Sequence, residues 1–370
     1  MKIGFDGKRA TQNFTGLGNY SRYVLKVLAE YHPENQYVVF VPAPVQKPLS
    51  ILECPSIQFQ YPKNQLFKNF WRSRGIVKDL KKEKIDIFHG LSNEIPISLK
   101  KVGIPSVVTI HDLIFYRYPQ YYPYFDRKIY ELKVHYASKH ANKIIAVSEQ
   151  TKSDLINFFN VEESRIEVIY QNCDPIFRSE VTEHEKTRIR HTYKLPEEFL
   201  LNVGTIETRK NSLLIVKALK KLKDTIHLVI IGKETPYAQV VKDFITNNNL
   251  KSRVHFLKNV SFHDLPGIYQ QASIFIYPSE FEGFGIPVVE ALSSGIPVIA
   301  AKGSCLEEAG GKNSIYVDAN NSEELADQIN LVMNNTEKRE LMIRSGIEHI
   351  SNFSNQKIAD KLFNLYQNLI

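Results

Sequence analysis

The chain has 370 residues, 43% apolar and 24% charged, a balance ordinary for a globular protein and long enough for two domains of about 150–200 residues. No apolar run reaches the length of a membrane-spanning helix, and Cys54, Cys173 and Cys305 lie far apart without a C-x-x-C pair, which speaks against a disulfide framework or structural zinc. The formal charge of +7 suggests an anionic partner but does not choose among nucleic acid, an anionic membrane surface and a phosphorylated substrate.

The N-terminus, M-K-I-G-F-D-G, enters a strand at once and lacks the apolar core of a signal peptide, so a reducing cytosol is the expected compartment. After a strand at 3–5 comes T-G-L-G-N-Y at 15–20 and then a helical pattern over 20–30. Strand, glycine loop and helix is the logic of a phosphate cradle, although G-x-G by itself is usually a turn. The third glycine and the later acidic residue of a dinucleotide site are missing, which argues against NAD. Further strands are expected at 37–41, 57–61, 85–88, 106–110, 143–147 and 166–170, with helices near 69–82 and 126–141. Such alternation predicts an α/β domain with a mostly parallel sheet and ligands outside the carboxyl ends of its strands.

His111 stands at one such end, in P-S-V-V-T-I-H-D-L; a histidine bonded to a neighbouring carbonyl is the commoner situation there. Residues 61–84 carry eight basic side chains against Asp79 and Glu83, with Phe67, Phe70 and Trp71 interleaved. That stretch suits docking on an anionic leaflet, holding an acceptor phosphate, or an amphipathic surface helix whose aromatics point into the core. Residues 115–136 are rich in tyrosine, which fits an acceptor surface or simple packing equally well. Ser148 is a plausible N-cap for the helix that follows the strand at 143–147.

A polar linker is expected at 179–186, giving domains 1–178 and 179–352 and a last helix, 353–370. The second domain opens with F-L-L-N-V-G-T-I-E-T-R-K-N at 199–211, a buried strand ending at Gly204 and a helix starting near Asn211. Arg209 and Lys210 therefore precede a helix N-terminus, where two fixed cations could neutralise a diphosphate leaving group. More strands are expected at 227–231, 254–257 and 274–277. The last leads into P-S-E-F-E-G-F-G-I-P-V-V-E-A-L-S-S-G-I-P at 278–297, a strand, a tight Gly283-Phe284-Gly285 loop and a helix. Glu282 and Glu290 bracket that loop; a carboxylate repels phosphate, so both read as acceptors for sugar or ribose hydroxyls.

The motif F-E-G-F-G-I-P-V-V-E-A-L-S-S-G-I-P-V-I-A resembles the signature of the family-4, retaining GT-B glycosyltransferases, and the resemblance extends over nearly the whole chain. It implies an α/β GT-B fold of two Rossmann-like, doubly wound domains with an interdomain cleft, a nucleotide-diphosphate sugar donor and no metal or other cofactor. It places Gly16 and Gly18 near the donor diphosphate, His111 facing the donor sugar and Val260 at the base-binding position. By the same resemblance Lys210 and Arg209 bind the diphosphate, the loop Gly283, Phe284 and Gly285 cradles it, and Glu282 and Glu290 read the sugar and ribose. The family's diphosphate loop usually reads V-G-R-x-x-x-x-K; Thr205 stands here in place of the arginine, and Arg209 could compensate. The V-G-T-x-x-x-R-K-N form looks like that of mannosyltransferase members. The expected function is transfer of a sugar, mannose from GDP-mannose as the leading choice, to a lipid-linked or surface oligosaccharide acceptor at the inner face of a membrane. A nucleotide-sugar epimerase or hydrolase of the same fold, or a non-catalytic binding subunit, are the alternatives; a nucleic-acid role rests on charge alone.

Overall fold

The computed structural model describes residues 1–45, 54–63, 68–97 and 99–370, which form two units: Met1–Gln171 with Phe353–Ile370, and Asn172–Asn352. In the first unit the strands are β1 (Lys2–Asp6), β2 (Gln36–Phe40), β3 (Ile57–Gln60), β4 (Ile87–Gly90), β5 (Ser106–Ile110), β6 (Lys143–Ala146) and β7 (Ile166–Val168). They make one sheet in the order β3-β2-β1-β4-β5-β6-β7, with every neighbouring pair parallel. The central strands β4 and β5 are buried along their whole length, as befits a sheet covered on both faces. Helix Gly16–Tyr31 begins earlier than the periodicity predicts, so Gly16 and Gly18 belong to its first turn and not to an open loop. The cause is close packing: a Cβ on Gly18 would lie 1.7 Å from the Asn13 carbonyl oxygen, so only glycine lets the helix start there.

Helix Glu149–Phe159 is capped by Ser148, whose Oγ accepts from the Thr151 N–H at 3.1 Å, as its sequence predicts. The helix expected near 69–82 is interrupted by a π-helical turn at Trp71–Gly75 before it resumes as Ile76–Lys82. The last helix, Asn355–Gln367, packs on Gly16–Tyr31: Tyr23 donates to Asn355 Oδ1 (3.1 Å), His32 pairs with Asp360 (3.0 Å) and His32 stacks on Phe363.

The second unit contains β8 (Phe199–Val203), β9 (His227–Ile231), β10 (Val254–Leu257), β11 (Ile274–Tyr277), β12 (Val298–Ala301) and β13 (Ile315–Val317). Their order is β10-β9-β8-β11-β12-β13, again parallel throughout. The last two strands were not anticipated: Val298–Ala301 reads as the tail of the glycine motif, and Ile315–Val317 is too short to show a period. The division between the units falls before the expected linker. Residues 172–178 are part of the second unit because Cys173 is buried with its Sγ 3.3 Å from Ser293 Oγ, and Phe177 is buried edge-on to Tyr269. The supposed linker 179–186 is ordered too, with Thr182 capping helix Glu183–Tyr193.

Both sheets reverse strand order once, between β1 and β4 in the first unit and between β8 and β11 in the second. In open α/β sheets the crevice outside the carboxyl ends of the strands at such a reversal is where ligands bind.

Candidate active site

At the reversal of the second sheet, β8 runs into Gly204 (φ +147), then Thr205, a short 3-10 turn at Thr208–Lys210 and helix Ser212–Leu219. Asn211 takes the left-handed conformation between turn and helix, held by its side-chain N–H donating to the Ala319 carbonyl at 2.6 Å. This turn presents Lys210 to the end of β11. Lys210 Nζ donates to the Tyr277 hydroxyl at 3.0 Å, lies 5.5 Å from that ring's centroid and is 3.8 Å from Glu282 Oε1. A Cβ on Gly204 would meet Lys210 Nζ at 2.9 Å, so that glycine leaves room for the ammonium group.

Glu282 is the centre of the cluster. Its Oε1 accepts from the Tyr277 hydroxyl (2.8 Å) and the Ser279 hydroxyl (2.9 Å), and pairs with Arg209 Nη1 (2.9 Å). These contacts all fall on Oε1, so Oε2 takes part in none of them. Burial pushes this carboxyl's pKa up, but Lys210 and Arg209 more than offset that, and it is held below the ordinary carboxylate value. Arg209 is bound on several sides: Nη2 pairs with Glu207 at 2.7 Å, Nη1 also donates to the Phe281 carbonyl, and its own carbonyl accepts from the Glu280 N–H at 2.9 Å. Its charge is compensated by two carboxylates, so it fixes the loop, whereas Lys210 keeps the less committed charge.

Gly283, Phe284 and Gly285 follow. Phe284 is buried, and Gly285 adopts φ +112 at the N-cap of helix Ile286–Ser293, where a side chain would be strained and would run into Leu306. Pro287 sits in the first turn, where it sacrifices no hydrogen bond. On this helix Glu290 Oε2 accepts from the Tyr269 hydroxyl at 2.9 Å. Burial raises the Glu290 pKa to about 7, against the opposing pull of the Tyr269 hydrogen bond and Lys210 and with a further push from Asp174. Two carboxyls on one motif are thus driven apart, Glu282 firmly ionised and Glu290 poised near neutrality. The sequence marked both glutamates but missed Tyr277, Ser279 and Tyr269, which orient them. Tyr277 had one signal, a polar tip closing the apolar strand I-F-I-Y. Val260 lies elsewhere, half-buried in the loop after β10, two strands away from β8.

In the first unit His111 follows β5 and is 6% exposed. Its Nε2 is 2.9 Å from the Leu91 carbonyl, which must accept, so Nε2 carries the proton and Nδ1 the lone pair. Its backbone N–H donates to Asn93 Oδ1 (2.9 Å), and Tyr20 meets the ring edge-on with centroids 4.5 Å apart. Burial lowers its pKa to about 4, although the Leu91 hydrogen bond works the other way, so the ring is neutral at pH 7. Behind Tyr20 a buried chain of hydrogen bonds links its hydroxyl to Thr109 (3.0 Å), Thr109 to His89 (2.8 Å) and His89 to Tyr366 (2.6 Å).

The basic stretch 61–84 is mixed in character. Phe70 is 60% exposed and Lys63, Lys68, Arg74 and Lys78 are exposed, but Trp71 is buried and Arg72 is tied into ion pairs. Phe67 lies outside the described residues. Among the described residues no helix is long and apolar enough to cross a membrane, and no cluster of three or more His, Cys, Asp or Glu side chains could hold a metal ion.

Two doubly wound parallel units, each with its sheet reversal, are the architecture of the GT-B fold. Residues 15–175 match the family described as Glycosyltransferase Family 4, and residues 183–349 the family described as Glycosyl transferases group 1. The chain belongs to these family-4, group 1 glycosyltransferases. It is 26% identical to the O-antigen chain mannosyltransferase B of Escherichia coli, over 99% of this chain and 100% of that one. It is 29% identical to the O-antigen chain mannosyltransferase RfbU of Salmonella typhimurium, over 57% and 56% of the two chains. Among solved structures, Anabaena Alr3699/HepE in complex with UDP and glucose superposes with a TM-score of 0.77 at 19% identity, covering all of both chains.

Proposed function

We propose that this glycosyltransferase is a retaining, metal-independent mannosyltransferase that moves mannose from GDP-mannose to a hydroxyl of a lipid-linked or surface oligosaccharide. The observation that carries the reading is the Lys210–Tyr277–Glu282–Arg209 cluster at the carboxyl ends of β8 and β11. As the bond from the anomeric carbon to the β-phosphate oxygen breaks, negative charge grows on the phosphate, and a fixed ammonium there stabilises it. Lys210 supplies that charge, and Arg209, paired with Glu207 and Glu282, keeps the loop in place beside it. The N-terminus of helix Ile286–Ser293 adds its partial positive charge, with Gly283, Phe284 and Gly285 allowing backbone approach. Glu282 Oε2 accepts from a hydroxyl of the transferred sugar, and Glu290 accepts from the ribose.

His111, neutral at pH 7, is assigned to the donor sugar as a hydrogen-bond acceptor through Nδ1 and not as a general base. Gly16 and Gly18 are assigned to the diphosphate side and Val260 to the base. The mannosyl reading draws on the names of the two enterobacterial relatives and on the V-G-T-x-x-x-R-K-N form of residues 203–211. Peripheral attachment at the cytoplasmic face of a membrane, through the exposed part of residues 61–84, completes the proposal.

The test is transfer from GDP-mannose, with and without EDTA, to a panel of mannosyl acceptors, with product configuration read by NMR. An α-linked product formed equally in EDTA is expected. A β-linked product would overturn retention, EDTA-sensitive turnover would overturn metal independence, and transfer from UDP-sugars alone would overturn the donor.

A further inference from the structure

On the β9 and β10 side of the second sheet stands a carboxylate to which the donor reading gives no role. Glu234 follows the carboxyl end of β9, in G-K-E-T-P at 232–236. Its loop is fastened to the loop after β8. A Cβ on Gly232 would lie 1.8 Å from the Gly204 carbonyl oxygen, so only glycine lets the two chains touch. The Ile206 N–H donates to the Lys233 carbonyl at 2.9 Å, and the Thr235 hydroxyl donates to the Ile206 carbonyl at 2.6 Å. Residues 204–206 lead directly into the turn that carries Lys210, so the Glu234 loop is fixed relative to that turn.

Glu234 is ionised and paired, yet not closed off. Its Oε2 meets Lys242 Nζ at 2.6 Å and its Oε1 meets Lys258 Nζ at 3.0 Å, and these two lysines hold the carboxyl below its ordinary pKa. The Glu234 side chain is 29% exposed and that of Lys258 66%. Lys258 follows the carboxyl end of β10 and opens the loop that holds Val260. A lysine–carboxylate pair this open to water adds little to stability. Its place points to use. Glu234 and Lys258 stand at the carboxyl ends of β9 and β10, beside β8, on the side of the sheet where ligands of such folds bind.

We infer that Glu234 and Lys258 determine base specificity by reading the Watson–Crick edge of guanine; this rests on the nucleotide-donor reading above. The chemistry of the pair selects the base. Guanine places two adjacent donors, N1–H and the 2-amino group, beside an acceptor, O6. The donors match the two oxygens of Glu234, each of which has a lone pair to spare, and the ammonium group of Lys258 matches O6. Adenine would turn its N1 lone pair onto the carboxylate and its 6-amino group onto Lys258. Uracil has a single N–H between two carbonyls, so one carbonyl would face a carboxylate oxygen. The same two side chains therefore attract guanine and repel its competitors.

The experiment is titration calorimetry on the full chain with GDP, inosine diphosphate, xanthosine diphosphate, ADP and UDP, in the wild type, Glu234→Gln and Lys258→Met. The wild type should prefer GDP, with inosine diphosphate weaker by about tenfold for want of the 2-amino group. Glu234→Gln should weaken GDP by about tenfold and strengthen xanthosine diphosphate. In that variant the amide N–H donates to the carbonyl that replaces the 2-amino group, while the amide oxygen accepts from N1–H. A misfolded variant would not gain a ligand. Lys258→Met should weaken GDP and inosine diphosphate alike, since both carry O6. A wild type that prefers GDP, joined to a Glu234→Gln variant with the same preference or with no gain for xanthosine diphosphate, would overturn the inference and leave the donor reading standing. Preference of the wild type for UDP or ADP, or binding of no nucleotide, would overturn the GDP reading itself and the guanine-reading pair with it.

Discussion

The two sheet reversals carry polar clusters of opposite origin. In the second unit the groups come from two short runs, 203–211 and 277–290, each a strand, a turn and a helix start. In the first unit Asp6, Arg72, Glu94 and Lys133 come from four segments spread over much of the unit. The first kind of site leaves a local signature because backbone geometry and side-chain chemistry must coincide within a few residues. The second is written only in tertiary packing.

The largest effect is expected where charge is most buried. Arg72→Ala leaves Asp6 and Glu94 facing each other and should destabilise the first unit by about 3–5 kcal/mol, read as a fall in the denaturation midpoint. A negligible loss would mean the four segments do not depend on their ionic chain. Next, Lys210→Ala should abolish transfer and weaken nucleotide-diphosphate binding by about 1.5–3 kcal/mol, measured by calorimetry. Unchanged affinity would remove Lys210 from the diphosphate site.

Glu290 gives a pH prediction with two opposite trends. Its folded pKa, about 7, lies above the ordinary carboxyl value of 4.5, so the folded state favours the protonated form. Its contribution to stability is therefore fully present below 4.5 and lost as pH rises through about 7. A ribose hydroxyl donates to the ionised form, so nucleotide affinity should rise over the interval in which that stability declines. Glu290→Gln should flatten both profiles, and a pH-independent affinity in the wild type would take the ribose away from Glu290. The smallest effect belongs to the network behind His111. Tyr20→Phe removes one buried hydroxyl from the Thr109–His89–Tyr366 chain and should cost about 1 kcal/mol of stability. If turnover falls while stability is unaffected, Tyr20 acts on the reaction and not on the fold.

The strands of both sheets were largely legible because a buried parallel strand is a short apolar run, and the glycine motif displayed its turn and helix directly. Val298–Ala301 was hidden by its own motif, and the π-helical turn at Trp71–Gly75 has the same apolar spacing as the α-helix it interrupts. At the candidate site, Lys210, Glu282 and Glu290 were visible as charges at strand and helix ends. Arg209 was expected to bind phosphate directly, whereas in the structure Glu207 and Glu282 compensate its charge, a pairing that spacing alone does not reveal. Gly16 and Gly18 looked like an open loop, but the demand on Gly18 is steric, set by the carbonyl of Asn13. The tyrosines that orient the glutamates were invisible as partners because their contacts span the sheet end.

The most direct test of the account is binding of GDP, UDP, ADP and CMP to the full chain, followed by thermal stabilisation with and without EDTA, in the wild type and in Lys210→Ala. Selective stabilisation by GDP, insensitive to EDTA and lost in Lys210→Ala, is the predicted result. Stabilisation by no nucleotide, or by GDP equally in both proteins, would contradict the claim that the Lys210–Glu282 cluster holds the donor.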